Sequence, residues 1–145
     1  HVEDVAKLQE SGVKVLAWAE YSKELTLESY GSSWGLPEVT PFSIDECIVS
    51  GEQKLFGTTV MVGHVPGHSP DSISFYVEES GVVFAGDALF AGSVGRCDLP
   101  GGDFELLLTG IRRELLTLPD DTEVLSGHGL ATKVGREKLT NGYLK

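Results

Sequence analysis

The chain has 145 residues, the size of one compact domain built on a single core. Eleven Lys and Arg stand against 22 Asp and Glu, a net charge of −11, which argues against nucleic acid and anionic membrane as partners because both would be repelled. No stretch approaches the roughly 20 apolar residues of a membrane span, and no basic-then-apolar leader opens the chain, so a cytoplasmic location is expected.

Cys47 and Cys97 are too far apart for a metal-pair spacing and are expected as free thiols of a reducing compartment. The chain opens on His1 and its only methionine is Met61, which reads as a piece of a longer protein. Residues 2–11 carry Val2, Val5, Ala6 and Leu8 on one helical face, with Gly12 as the stop. Residues 13–18 alternate as a strand, and residues 21–29 read as a second helix. Gly, Ser and Pro then accumulate over 30–41, a loop.

A β-rich section begins at residues 54–62, and 72–77 is a further strand. Glu78-Glu79-Ser80-Gly81 forms a turn into the apolar run Val82-Val83-Phe84-Ala85, which has the composition of a strand buried on both faces. Asp103 is placed to cap a helix whose inward face is Phe104, Leu107, Leu108, Ile111, Leu115 and Leu118, ended by Pro119. A short strand over 122–125 and a last helix over 132–143 close the chain. Strands and helices alternate, so the class is α/β, with mixed pairing because 72–85 reads as a hairpin.

Two of the four histidines and one aspartate share one local setting. His68 and His128 each follow a strand and a glycine, and Asp87 follows Gly86 at the end of the 82–85 strand. Glycine lets the backbone turn sharply there, so three strand ends deliver His, Asp and His towards one sheet edge. Asp87 is followed by Ala88, Leu89 and Phe90, so its carboxylate sits in dry surroundings and needs a cation or donors. Imidazole and carboxylate together are the ligand set of zinc and non-haem iron.

The segments Gly-His-Val-Pro-Gly-His-Ser-Pro (63–70), Phe-Ala-Gly-Asp-Ala-Leu-Phe (84–90), Gly-Ser-Val-Gly-Arg-Cys-Asp-Leu-Pro-Gly-Gly-Asp (92–103) and Ser-Gly-His-Gly (126–129) resemble the metallo-β-lactamase-fold hydrolases. Within them the chain is most similar to the short glyoxalase II-like, or hydroxyacylglutathione hydrolase-like, branch, and residues 131–144 resemble that branch's ending. The resemblance implies a four-layer αβ/βα sandwich with a metal site at one edge, here a single domain over 1–145 lacking its amino-terminal strands. It implies His68 as a ligand of a first metal, Asp87 as the carboxylate bridging two metals, and His128 as a ligand of the second. The family motif His-x-His-x-Asp-His precedes a helix. His1 directly precedes the expected first helix, so it is read as the last residue of that motif, with a tag remnant as the other reading.

The cofactor implied is zinc, two ions per intact site, with iron or manganese as the other choices. The activity implied is hydrolysis of a small thioester or ester by a metal-activated water. Arg96 lies in Gly-Arg-Cys-Asp, where the family usually has Gly-Arg-Thr-Asp. It either holds a substrate carboxylate or pairs with Asp98, and the ion pair is the favoured of the two. Cys97 departs from the pattern: beside Arg96 its thiolate would be favoured, unless it is simply a small buried residue. Asp71 stands where the family often has Gly. His64 is read as a supporting or packing histidine. Two other functions stay open: a mononuclear-iron persulfide dioxygenase of the same fold, and a non-catalytic fragment or interaction domain.

Overall fold

The computed structural model describes residues 2–18 and 40–145, which fall into two compact units, His1–Val49 and Ser50–Lys145. His1, the helix expected over 21–29 and nearly all of the loop expected over 30–41 lie outside the described residues.

In the first unit, helix α1 (Val5–Glu10) buries Ala6 and stops at Ser11, with Gly12 at φ +92°. Leu8, expected inward, is 51% exposed. At 100° per residue it lies some 200° round the helix from Ala6, and so on the opposite side. Strand β1 covers only Leu16–Trp18 and pairs in parallel with β2, Glu46–Ile48. Val13 is drawn instead into closing α1, its N–H donating to Leu8 O. Gln9 donates to Ser43 O and Asp45 Oδ2, both at 2.8 Å, which ties the helix to the segment leading into β2.

The second unit is a six-stranded sheet in the order β10-β9-β6-β5-β4-β3. Its strands are β3 (Gly51–Leu55), β4 (Thr58–His64), β5 (Ile73–Val77), β6 (Val82–Gly86), β9 (Glu123–Ser126) and β10 (Thr132–Lys133). Pairing is antiparallel from β3 to β6 and between β9 and β10, and parallel between β6 and β9, the mixed sheet expected. A small hairpin, β7 (Leu89–Phe90) with β8 (Ser93–Val94), follows β6. Helix α2 (Phe104–Gly110) runs on into a π-turn at Ile111–Leu115, and α3 (Val134–Thr140) is the last helix. The last helix is shorter than expected because Thr132 and Lys133 pair with β9.

The core lies between one sheet face and the two helices: Val83, Ala85 and Val124 meet Leu107, Ile111, Leu115 and Val134, all essentially buried. Successive strand residues point to opposite faces, so Phe84, in register with Phe75 and Leu125, stands on the other face and is 48% exposed. The strand is therefore not buried on both faces as its composition suggested. Asp103 caps α2 as expected, Oδ1 accepting from Leu106 N at 2.9 Å. Phe104, expected inward, is 42% exposed: the first turn projects past the core, and the ring lies edge-on to Tyr143. No described helix is long and apolar enough to cross a membrane.

Candidate metal centre

Sheet direction brings the chemistry together. Strands β4 and β6 both run antiparallel to β5, and β9 runs parallel to β6. All three therefore end at the same edge, the edge where α/β sheets hold ligands. The loop after β4 carries His68, the residue after β6 is Asp87, and the loop after β9 carries His128. A bulge between Phe84 and Gly86 and a φ of +52° at Gly86 re-aim the chain just before Asp87.

The two histidines converge on one carboxylate oxygen. His68 Nε2 stands 3.7 Å and His128 Nε2 3.5 Å from Asp87 Oδ2. The Asp87 side chain is only 13% exposed. His68 Nδ1 lies 2.8 Å from Arg96 O. A carbonyl can only accept, so Nδ1 carries the proton, and in the neutral ring Nε2 turns a lone pair towards Asp87. A lone pair facing a carboxylate needs a cation or a proton between them. Two nitrogen or oxygen ligands about 2.0–2.2 Å from a tetrahedral ion stand about 3.3–3.6 Å apart, close to the spacings here. The donor types and spacing thus fit a divalent ion.

Glycines make the room. A Cβ on Gly127 would run into Asp87 Oδ1, and one on Gly95 would run into Asp87 O and approach His68 Cβ to 3.1 Å. The His128 ring is mostly open to solvent but lies on Phe90, centroids 4.6 Å apart and tilted 33°. Among the described residues, no three His, Cys, Asp or Glu side chains are drawn close enough to cage a single ion. The arrangement is two pairs, His68 with Asp87 and His128 with Asp87, sharing the carboxylate.

The remaining candidates fall around this edge. His64 Nε2 lies 2.8 Å from Pro70 O, and His64 O accepts from Arg113 Nη2 at 2.8 Å, so it fastens the loop that carries His68. Arg96 makes a two-pronged pair with Asp98, Nε to Oδ1 at 2.7 Å and Nη2 to Oδ2 at 2.8 Å. What it offers the metal centre is its carbonyl, a role the sequence did not suggest. Asp98, held by that guanidinium, is pushed down to about 2. Of the two readings of Cys97 the structure agrees with the buried one: burial pushes its thiol up, and the carboxylates of Asp103 and Asp98 add to this against a hydrogen bond from the Asp103 backbone. The Arg96 charge is taken by Asp98. Neither Cys97 nor Cys47 is in a disulfide. Phe90, Gly95 and the Arg96 carbonyl had no readable signal beyond their nearness to Asp87.

The sequence model of the metallo-beta-lactamase superfamily matches residues 1–128. The chain belongs to this superfamily and has its fold, and proteins of this fold bind divalent metal ions. Among its relatives, hydroxyacylglutathione hydrolase GloC of Haemophilus influenzae is 40% identical over 140 residues, 94% of this chain and 66% of GloC. The probable metallo-hydrolase YqgX of Bacillus subtilis is 54% identical over 79 residues, 54% of this chain and 37% of YqgX. Among solved structures, the BLEG-1 B3 metallo-beta-lactamase superposes with a TM-score of 0.89 at 34% identity, covering 99% of this chain and 71% of that one. TTHA1623 in a di-iron-bound form superposes with a TM-score of 0.83 at 40% identity, covering 99% and 72%. The chain thus spans from about a third to two thirds of the length of these two curated relatives.

Proposed function

We propose that this chain carries the larger part of the metal centre of a hydrolase acting on a small thioester or ester. Both units belong, in this reading, to one metallo-β-lactamase-like domain. The observation that carries it is the facing of His68 Nε2 and His128 Nε2 on the single oxygen Oδ2 of Asp87. When bound, divalent ions supply Lewis acidity, lowering the pKa of a water towards about 7 and polarising a carbonyl. His68, oriented by the Arg96 carbonyl, and Asp87 would hold one ion. Asp87 and His128 would hold the other; His1, the further ligand expected from the sequence, lies outside the described residues. Phe90 covers one face of the His128 ring and keeps water off that side. Arg96 would meet a substrate carboxylate only by leaving Asp98.

Zinc is the metal we assign, with iron supported by the di-iron form of TTHA1623 and manganese by the same donor types. A thioester substrate is supported by the name of GloC. A cytoplasmic location is supported by the two free thiols. The persulfide dioxygenase reading, one iron per chain, leaves the approach of His128 to Asp87 without a purpose.

The test is metal content followed by turnover of a hydroxyacyl-glutathione thioester. Stoichiometric metal and hydrolysis that stops with chelator and returns with Zn²⁺ are expected. Oxygen consumption with glutathione persulfide and one iron per chain would replace the hydrolase by the dioxygenase. No metal and no hydrolysis would leave a non-catalytic domain.

A further inference from the structure

The ending over 131–144 has no part in the reaction as described, yet it contains a fully buried carboxylate. Glu137 on α3 is 0% exposed. Its Oε1 accepts from Thr132 Oγ1 at 2.5 Å, and its Oε2 accepts from Gly92 N at 2.8 Å and from Asn141 Nδ2 at 2.9 Å. Asn141, also 0% exposed, donates to Ser93 O at 3.0 Å and accepts from Tyr143 N at 3.1 Å. Gly92 and Ser93 lie at the turn end of the β7–β8 hairpin. A leucine would fill this place in a core without the desolvation that a carboxylate must have compensated. What the polar pair provides is direction: it grips the hairpin turn by one N–H and one C=O.

That hairpin and the residues flanking it adjoin Asp87, His128 and His68. Asp87 precedes it, and Gly95 N, just past it, donates to Ala88 O at 3.1 Å. Phe90 on β7 carries the His128 ring, and Ser126 Oγ, two residues before His128, donates to Leu89 O at 2.6 Å. Arg96, two residues past β8, fixes His68 through its carbonyl.

We propose that Glu137, with Asn141, is a positioning residue for the metal centre: from α3 it sets the β7–β8 hairpin, and the hairpin sets His68, Asp87 and His128 relative to one another. The proposal rests on the metal-site reading above. Neither residue touches an ion or a substrate. They act through the backbone of Gly92 and Ser93.

The experiment compares Asn141→Ala and Glu137→Gln with the packing control Val134→Ala on the same helix. Two measurements are made on each: the ring-nitrogen NMR correlations of His68 and His128 in chelator-treated protein, and Zn²⁺ affinity by competition with a chromophoric chelator. Asn141→Ala is expected to weaken Zn²⁺ binding about tenfold, the low end for groups that orient ligands, and to shift His68 away from its single tautomer. Glu137→Gln is expected to stay within about threefold, since its amide oxygen can keep Gly92 and Asn141 while its NH2 donates to Thr132. Val134→Ala is expected to lower the melting temperature and move neither readout. A folded Asn141→Ala protein with unchanged ring signals and unchanged affinity overturns the proposal. So does failure of both Asn141→Ala and Glu137→Gln to fold, which would make the network a stability element only. Wild-type protein that binds no Zn²⁺, alongside shifted ring signals in Asn141→Ala, would sink the metal reading and leave the positioning role standing.

Discussion

Gly127 is packed so closely against Asp87 that a β-carbon there would overlap Oδ1, and its N–H donates to Gly86 O at 2.8 Å. The loops bearing His128 and Asp87 are thereby locked side by side. Gly127→Ala must either turn the Asp87 side chain off its rotamer, at about 0.5–1.5 kcal/mol, or push His128 away. The expected outcome is a 10- to 100-fold loss of Zn²⁺ affinity with the fold retained, read by calorimetric titration alongside circular dichroism. Undiminished affinity would mean that Asp87 does not hold the ion.

Gly67 presents a backbone problem. Its φ is +128°, and a Cβ there would run into Asp103 O and Leu107 N of the α2 start, where Asp103 N donates to Gly67 O at 2.8 Å. Backbone cannot step aside as a flexible side chain can, and such a φ alone costs on the order of 1–3 kcal/mol for a residue with a side chain. Gly67→Ala is expected to destabilise the chain by more than about 2 kcal/mol in urea unfolding. Asp103→Ala, which loses only the helix cap, is expected to cost about 1 kcal/mol. The reverse order would show that the loop relaxes freely.

What was readable beforehand was local or directional. The glycines before His68, Asp87 and His128 marked strand ends, and the 72–85 hairpin set β5 against β6. That β4 and β9 run with β6, which puts all three residues on one edge, is visible only in the strand pairing. Asp103 as a cap and Glu78–Gly81 as a turn follow from side-chain and φ preferences that act within four residues. What was hidden depends on main-chain atoms or on distant packing. The Arg96 carbonyl that orients His68 is common to every residue type, so no residue letter marks it. Phe84 and Phe104 have core composition, yet strand alternation and the helix overhang expose them. Glu137 and Asn141 look like surface helix residues until Gly92 and Ser93 are brought against them.

The two thiols should differ in reactivity. Cys47 is exposed. Cys97 is half-buried, its Sγ directed to Gly95 O, and its thiol is pushed up chiefly by burial. The thiolate is the nucleophile, so at pH 7.5 iodoacetamide is expected to modify Cys47 at least about tenfold faster than Cys97, as followed by mass spectrometry of the peptides. Equal rates would restore the activated Cys97 that its neighbour Arg96 suggested.

The Arg96–Asp98 pair makes a pH-dependent prediction whose sign is fixed. The guanidinium holds Asp98 down to about 2, below the value of about 3.9 for an unfolded aspartate. The folded state therefore releases this proton more readily. The pair's stabilisation is fully present above about pH 4 and fades as the pH falls through about 2. Both groups are solvent-exposed, so the effect on global stability is small and screened by salt. The carboxyl carbon resonance of Asp98 is the direct readout: a midpoint near 2 is expected in the wild type, rising towards about 3.9 in Arg96→Ala. That variant keeps the main-chain carbonyl that meets His68, so its Zn²⁺ affinity is expected within about twofold of wild type. A rise in KM for an acidic thioester at unchanged Zn²⁺ affinity would return Arg96 to the substrate. A tenfold loss of Zn²⁺ would instead show that the ion pair is needed to keep the carbonyl aimed at the imidazole.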